Sequence, residues 1–131
     1  AKAEELGLTW IAEIGAHGNV SGPDSTLQEQ PANAIIKAAE KEGIDVADID
    51  LFELNEAFAA VGIVSAAKMG VAEDKVNVNG GAIAIGHPIG ASGCRILVTL
   101  LHEMQRTQAN KGLAALCIGG GMGVSLAIER V

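Results

Sequence analysis

Val78-Asn79-Gly80-Gly81-Ala82-Ile83-Ala84-Ile85-Gly86-His87-Pro88-Ile89-Gly90-Ala91-Ser92-Gly93 decides how the 131-residue chain is read. β-Branched residues at Val76 and Val78 mark a strand end, and five glycines free the backbone that follows. Ile96, Leu97, Leu100, Leu101 and Met104 then recur at helical spacing. His87 therefore sits on a strand-to-helix connection, where a scaffold presents reactive side chains to solvent and substrate instead of to core. Taken alone, a glycine-rich connector with one histidine is more often a tight packing turn. Two further stretches shift that balance. Asn55-Glu56-Ala57-Phe58 and Cys117-Ile118-Gly119-Gly120-Gly121-Met122-Gly123 each follow an apolar run, and each puts polar or sulfur chemistry at the end of a predicted strand.

Working outward, residues 8–16 carry enough β-branched and aromatic residues for a first strand. His17 stands at its exit and reads as a solvated or locally hydrogen-bonded loop histidine. Residues 18–30 are polar, contain Gly22-Pro23 and read as a loop. Pro31 suits the first turn of a helix whose apolar face is Ala32, Ile35, Ile36 and Ala39 and whose stop is Gly43. A strand over 49–54 comes next. Asp48 and Asp50 at its start are solvated turn residues rather than a metal pair, since no third ligand is in reach by sequence. A second helix over 55–68 has Asn55 as N-cap, Phe58, Val61, Ser65 and Met69 on one stripe, and Gly70 as its stop. Residues 76–78 give a third strand, 91–107 a third helix and 112–118 a fourth strand. The glycines of 119–123 then turn the chain into a fifth strand over 124–130, antiparallel to the fourth.

Composition narrows the class. One Trp and two Phe among 49% hydrophobic residues make the core aliphatic, which suits a parallel sheet covered by helices on both faces. The expectation is one α/β domain with a five-stranded mixed sheet, helices on both faces and an antiparallel last strand. A net charge of −7 with scattered Lys and Arg leaves no basic stripe for nucleic acid. The charge-free run over 76–94 is interrupted by Asn77, Asn79, His87 and Pro88 and argues against a membrane span. Cys94 and Cys117 are too few and too far apart for a zinc knuckle or a disulfide scaffold.

In this order and spacing, Asn-Glu-Ala-Phe at 55–58, Gly-His-Pro-x-Gly-x-Ser-Gly at 86–93 and Cys-x-Gly-Gly-Gly-x-Gly at 117–123 closely resemble the C-terminal part of a thiolase of the acetyl-CoA acetyltransferase type. The resemblance covers residues 1–131. It implies a thiolase half-fold and acetyl transfer between acyl-CoA thioesters, with coenzyme A thioester as substrate and no other cofactor. Such a Claisen condensation needs a nucleophilic thiolate, a base that removes a proton α to a thioester carbonyl, and donors for both oxyanions. By resemblance Cys117 is that base, and the acid in reverse. An ordinary thiol pKa of about 8.5 must then be lowered by a neighbour.

By the same resemblance His87 assists ionisation of the nucleophile and holds the thioester oxygen through a ring N–H, while Asn55 supports that oxyanion site through a water. Gly119 offers its backbone N–H to the second oxyanion, and Ala57 and Phe58 line the acyl pocket. Without the resemblance, Cys117 reads as a buried strand thiol and Asn55 as a simple cap. A nucleotide-binding glycine loop is the other reading of 117–123, but a strand follows where the dinucleotide fingerprint needs a helix. Cys94, where thiolases often have Ala, reads as a small packing residue. A ketosynthase, the nearer relative, generally uses a second His where Cys117 stands.

Two departures matter. Thiolases usually carry Gly-Pro followed by Pro-Ala at the loop where this chain has Ser25-Thr26-Leu27-Gln28-Glu29-Gln30, a loop expected near the active-site entrance. Their nucleophilic cysteine also lies in an N-terminal half, in a motif that neither Cys94 nor Cys117 occupies. The first residue is Ala, and residues 1–5 read as the end of a helix. The expectation is part of a larger cytoplasmic two-half enzyme, inactive alone, partnered by an N-terminal half that supplies most charged contacts to anionic coenzyme A. An apolar face and assembly into dimers or tetramers are expected as well. The alternative is a separate, non-catalytic thiolase-like half that binds a partner or ligand.

Overall fold

The structure is a computed structural model, and it describes residues 2–131. Ala1, the start of the helix end expected over 1–5, lies outside the described residues. The order of elements is α1 (Lys2–Glu5), β1 (Ala12–Ser21), α2 (Gln30–Glu42), β2 (Leu51–Leu54), α3 (Ala59–Met69), α4 (Ala82–Ile85), α5 (Ile89–Thr107), β3 (Lys111–Ile118) and β4 (Met122–Arg130). Single 3₁₀ turns at Val46–Asp48 and Glu73–Lys75 lead into β2 and follow α3.

Four strands form one mixed sheet in the order β1-β4-β3-β2. β2 and β3 run parallel, while β3 with β4 and β4 with β1 are antiparallel. The α/β class and the antiparallel final strand are as expected, but among the described residues the fifth strand is absent. At 76–78 only Val76 forms a bridge, to Phe52, because Asn77 turns the backbone away with φ 47°. The Asn77 side chain then pairs with the same strand. Its Oδ1 accepts from Leu54 N–H at 2.7 Å and its Nδ2 donates to the Leu54 carbonyl at 2.9 Å, while its own N–H reaches the Phe52 carbonyl at 2.9 Å. One amide thus does for β2 what the predicted strand would have done with its backbone.

Two more boundaries move. β1 begins at Ala12 and runs through Ser21, later than the predicted 8–16, because pairing with β4 sets its register: His17 faces Leu126 and Ser21 faces Met122. His17 therefore lies within the strand, exposed, rather than at its exit. Lys41 Nζ donates to the His17 carbonyl at 2.6 Å and Lys37 Nζ to that of Asn19 at 2.8 Å, while the Ala16 N–H donates to Glu42. α3 starts at Ala59 with Phe58 as its cap, so Asn55 is not an N-cap.

Alternation along the strands builds two layers. Leu113, Ala115, Phe52, Leu54 and Ala127 meet Ile35, Ala38 and Ala39 of α2 on one face. Ala114 and Ile128 meet Ile96, Leu100 and Met104 of α5 on the other. Ile96, Leu100 and Met104 are essentially without solvent contact, each contributing about 1.5–3 kcal/mol by burial. Pro31 lies in the first turn of α2, and Gly43 and Gly70 close α2 and α3 in the left-handed conformation (φ 69° and 66°), as the stop signals predict. Ile63, Ile83, Ile85 and Ile89 stay two-thirds exposed or more. No helix among the described residues is long and apolar enough to cross a membrane.

Candidate active site

The C-terminal ends of the parallel pair place the site, as is usual for such sheets. Leu54 pairs with Ala115, so Asn55 and Cys117 leave adjacent strands on the same side of the molecule. Asn55 is wholly buried, its N–H donating to the Ala115 carbonyl at 2.9 Å. Its amide nitrogen lies 3.2 Å from His87 Nε2, and its Oδ1 is buried without a partner. His87 comes from the glycine-rich connection, on the residue before Pro88, which caps α5. Its Nδ1 lies 2.6 Å from the hydroxyl of Ser92, one turn into that helix.

The connection is held by Glu56. Its carboxylate accepts from Asn77 Nδ2 at 3.0 Å and from the Ile83 N–H at 2.9 Å. An added Cβ on Gly81 would stand 2.6 Å from one of the Glu56 oxygens, so glycine there lets the backbone descend onto the carboxylate. The short α4 and the His87 loop are thereby tied to the end of β2.

A cavity of about 580 Å³ opens where these elements meet. His87, Cys117, Gly119, Ala57 and Phe58 all line it, and Asn55 stands behind His87. Every predicted site residue is therefore brought to one place. A separate hollow of about 370 Å³ beside Glu13, Glu42 and Lys111 contains none of them.

The electrostatics differ from expectation at Cys117. Its thiol is half-buried, and burial pushes its pKa above the ordinary value, with a backbone hydrogen bond pulling weakly the other way. The lowering that a base requires is not supplied by the described residues. At Gly119 an added Cβ would meet nothing within 4 Å, so crowding by this chain does not explain the glycine. Cys94, read as a packing residue, is instead exposed on α5 and lines the same cavity as Cys117.

Behind the site, Glu53 points to the α5 face of the sheet and is 2% exposed. Arg95 Nη1 donates to it at 3.0 Å. Burial raises the Glu53 pKa to about 7, against the lowering effect of Arg95. Sequence reasoning missed Ser92, Glu56 and Leu27 as site residues. Leu27 reaches the cavity from the loop between β1 and α2, which puts that loop at the site as expected. The signal for Ser92 was its place in the first turn of the helix that follows His87. Among the described residues no group of three His, Cys, Asp or Glu is arranged to hold a metal ion.

Comparison with known proteins points one way. The family described as the thiolase C-terminal domain matches residues 8–130. A probable acetyl-CoA acetyltransferase of Mycolicibacterium smegmatis is 62% identical over 130 residues, covering 99% of this chain and 34% of that protein. An acetyl-CoA acetyltransferase of Chromobacterium violaceum is 58% identical over 129 residues, covering 98% and 33%. The crystal structure of the Bacillus anthracis acetyl-CoA acetyltransferase superposes with a TM-score of 0.94 at 43% identity, covering 99% of this chain and 33% of that one. The chain thus spans about a third of the length of these relatives.

Proposed function

The chain belongs to the thiolase family, as its C-terminal domain, and from that premise we propose that it supplies the acid–base and oxyanion-binding half of an acetyl-CoA acetyltransferase. The observation that carries this reading is the shared cavity. His87 and Cys117 line it together, and Asn55 is within hydrogen-bond reach of the His87 ring.

In the condensation direction Cys117 removes the α-proton of one acetyl thioester, and in thiolysis it returns that proton. His87 holds the thioester oxygen where enolate charge develops, and Asn55 supports that position through a water. Gly119 donates its backbone N–H to the oxyanion of the second carbonyl, and Ala57 and Phe58 bound the acyl group. The substrate is a coenzyme A thioester and no other cofactor enters.

The acyl-accepting cysteine is supplied by an N-terminal half of the same polypeptide. That half also brings the charge that depresses the Cys117 pKa against burial, since the described surroundings raise it. Residues 1–131 alone are therefore inactive. The exposed isoleucines around Ile63 and Ile89 are covered by that half or by a second copy in a cytoplasmic dimer or tetramer.

The test is Cys117→Ala in the protein at its full natural length. Condensation should fall by at least 10²-fold, the ordinary worth of a positioned acid–base group, while acylation of the distant cysteine by acetyl-CoA persists. Condensation at the original rate would overturn the assignment.

A further inference from the structure

We infer that Ser92 is a positioning residue for His87: its buried hydroxyl donates to Nδ1 and so keeps the ring proton on Nε2. The inference deepens the reading above and depends on it only for the use to which Nε2 is put.

Ser92 is 2% exposed, and its single hydroxyl proton has two candidate acceptors. One is the Pro88 carbonyl at 3.1 Å, the other His87 Nδ1 at 2.6 Å. The Pro88 carbonyl is already occupied, accepting the backbone N–H of Ala91 at 2.8 Å and of Ser92 at 2.9 Å. A carbonyl oxygen has two lone pairs, and both are taken. Nδ1 has one lone pair in the neutral ring, and a separation of 2.6 Å suits an O–H donor better than an N–H donor, whose bonds to oxygen rarely fall below about 2.7 Å. The hydroxyl proton therefore lies toward Nδ1, and the ring proton is left on Nε2.

The Asn55 amide nitrogen lies 3.2 Å from Nε2 and 3.5 Å from Nδ1, beside both ring nitrogens, so it does not itself select which one carries the proton. Both tasks given to His87 then use one proton, since a ring N–H that stabilises a thioester oxygen stabilises a thiolate in the same way.

The experiment is two-bond ¹H–¹⁵N coupling in the ¹⁵N-histidine-labelled protein at its full natural length, recorded with the ring neutral and assigned through His87→Asn. The wild type is expected to show only the Nε2–H pattern. Ser92→Ala should give two interconverting tautomers, and Ser92→Thr, which keeps the hydroxyl, should restore one. An Nδ1–H ring in the wild type would overturn the inference, as would a single unshifted Nε2–H pattern in a folded Ser92→Ala protein. The wild-type reading decides even where a variant fails to fold. Loss of the proposed acetyl transfer would be a different failure, because the tautomer is read without turnover.

Discussion

Asn55 and Cys117 leave neighbouring parallel strands at nearly the same height, yet the fold treats them differently. Asn55 has no exposed surface, a backbone bond to Ala115 and a neighbour in His87 at 3.2 Å. Cys117 is half-buried at the mouth of a glycine hairpin, with a pKa pushed up by desolvation. The described residues hold Asn55 and His87 in a hydrogen-bonded frame, whereas nothing among them lowers the Cys117 pKa. A rigid donor frame can be built inside one domain, whereas a thiol that must ionise needs charge brought to it.

The sharpest way to break the comparison is Asn55→Ala. In the protein at its full length it should cost 10²–10³ in turnover, the usual range for removing an oxyanion-stabilising group, and about 1–3 kcal/mol of stability for the buried partners left unmatched. A rate within a factor of three of wild type would show that the Asn55 amide does not support the oxyanion site.

Glu53 extends the contrast to the sheet behind Asn55. Its pKa is about 7 in the folded protein, above the ordinary 4.5, because burial outweighs Arg95, with Glu56 and Glu103 adding repulsion. A raised carboxyl pKa favours the folded state when protonated. The stabilisation is full below pH 4.5 and is lost as pH rises toward 7. Denaturant unfolding should show the wild type losing up to about 3 kcal/mol relative to Glu53→Gln across that window. Parallel pH profiles for the two proteins would show that Arg95 keeps Glu53 ionised.

The mildest test compares the two thiols lining the cavity. Iodoacetamide at neutral pH should modify exposed Cys94 about ten times faster than half-buried Cys117, read by mass spectrometry of the two peptides. Faster reaction at Cys117 would mean that the chain lowers its thiol pKa unaided.

What the sequence revealed follows from how local each determinant is. α2, α5 and the β3–β4 hairpin were readable because Pro31, Gly43, the Ile96-Leu100-Met104 spacing and the glycines before Met122 act within a few residues. The candidate residues His87 and Cys117 stood out for the same reason, marked by the glycines around them. The fifth strand failed because Val76 and Val78 carry strand propensity while Asn77 between them takes a left-handed turn, a choice made by its contacts to Leu54. Asn55 looked like a cap because capping residues and buried amides are the same residue types. Ser92 was passed over because its place in the first turn does not by itself show a bond to Nδ1, which depends on α5 starting at Ile89, two residues earlier than the pattern suggested.

The side chains that substitute for backbone partners along the two outer strands carry one more implication. On β2, Asn77 occupies Leu54 on both its polar groups; on β1, Lys41, Lys37 and Glu42 occupy His17, Asn19 and Ala16. An incoming strand seeking to lengthen the sheet would have to displace buried or charged groups at either border. The domain is in this way guarded against edge-to-edge aggregation.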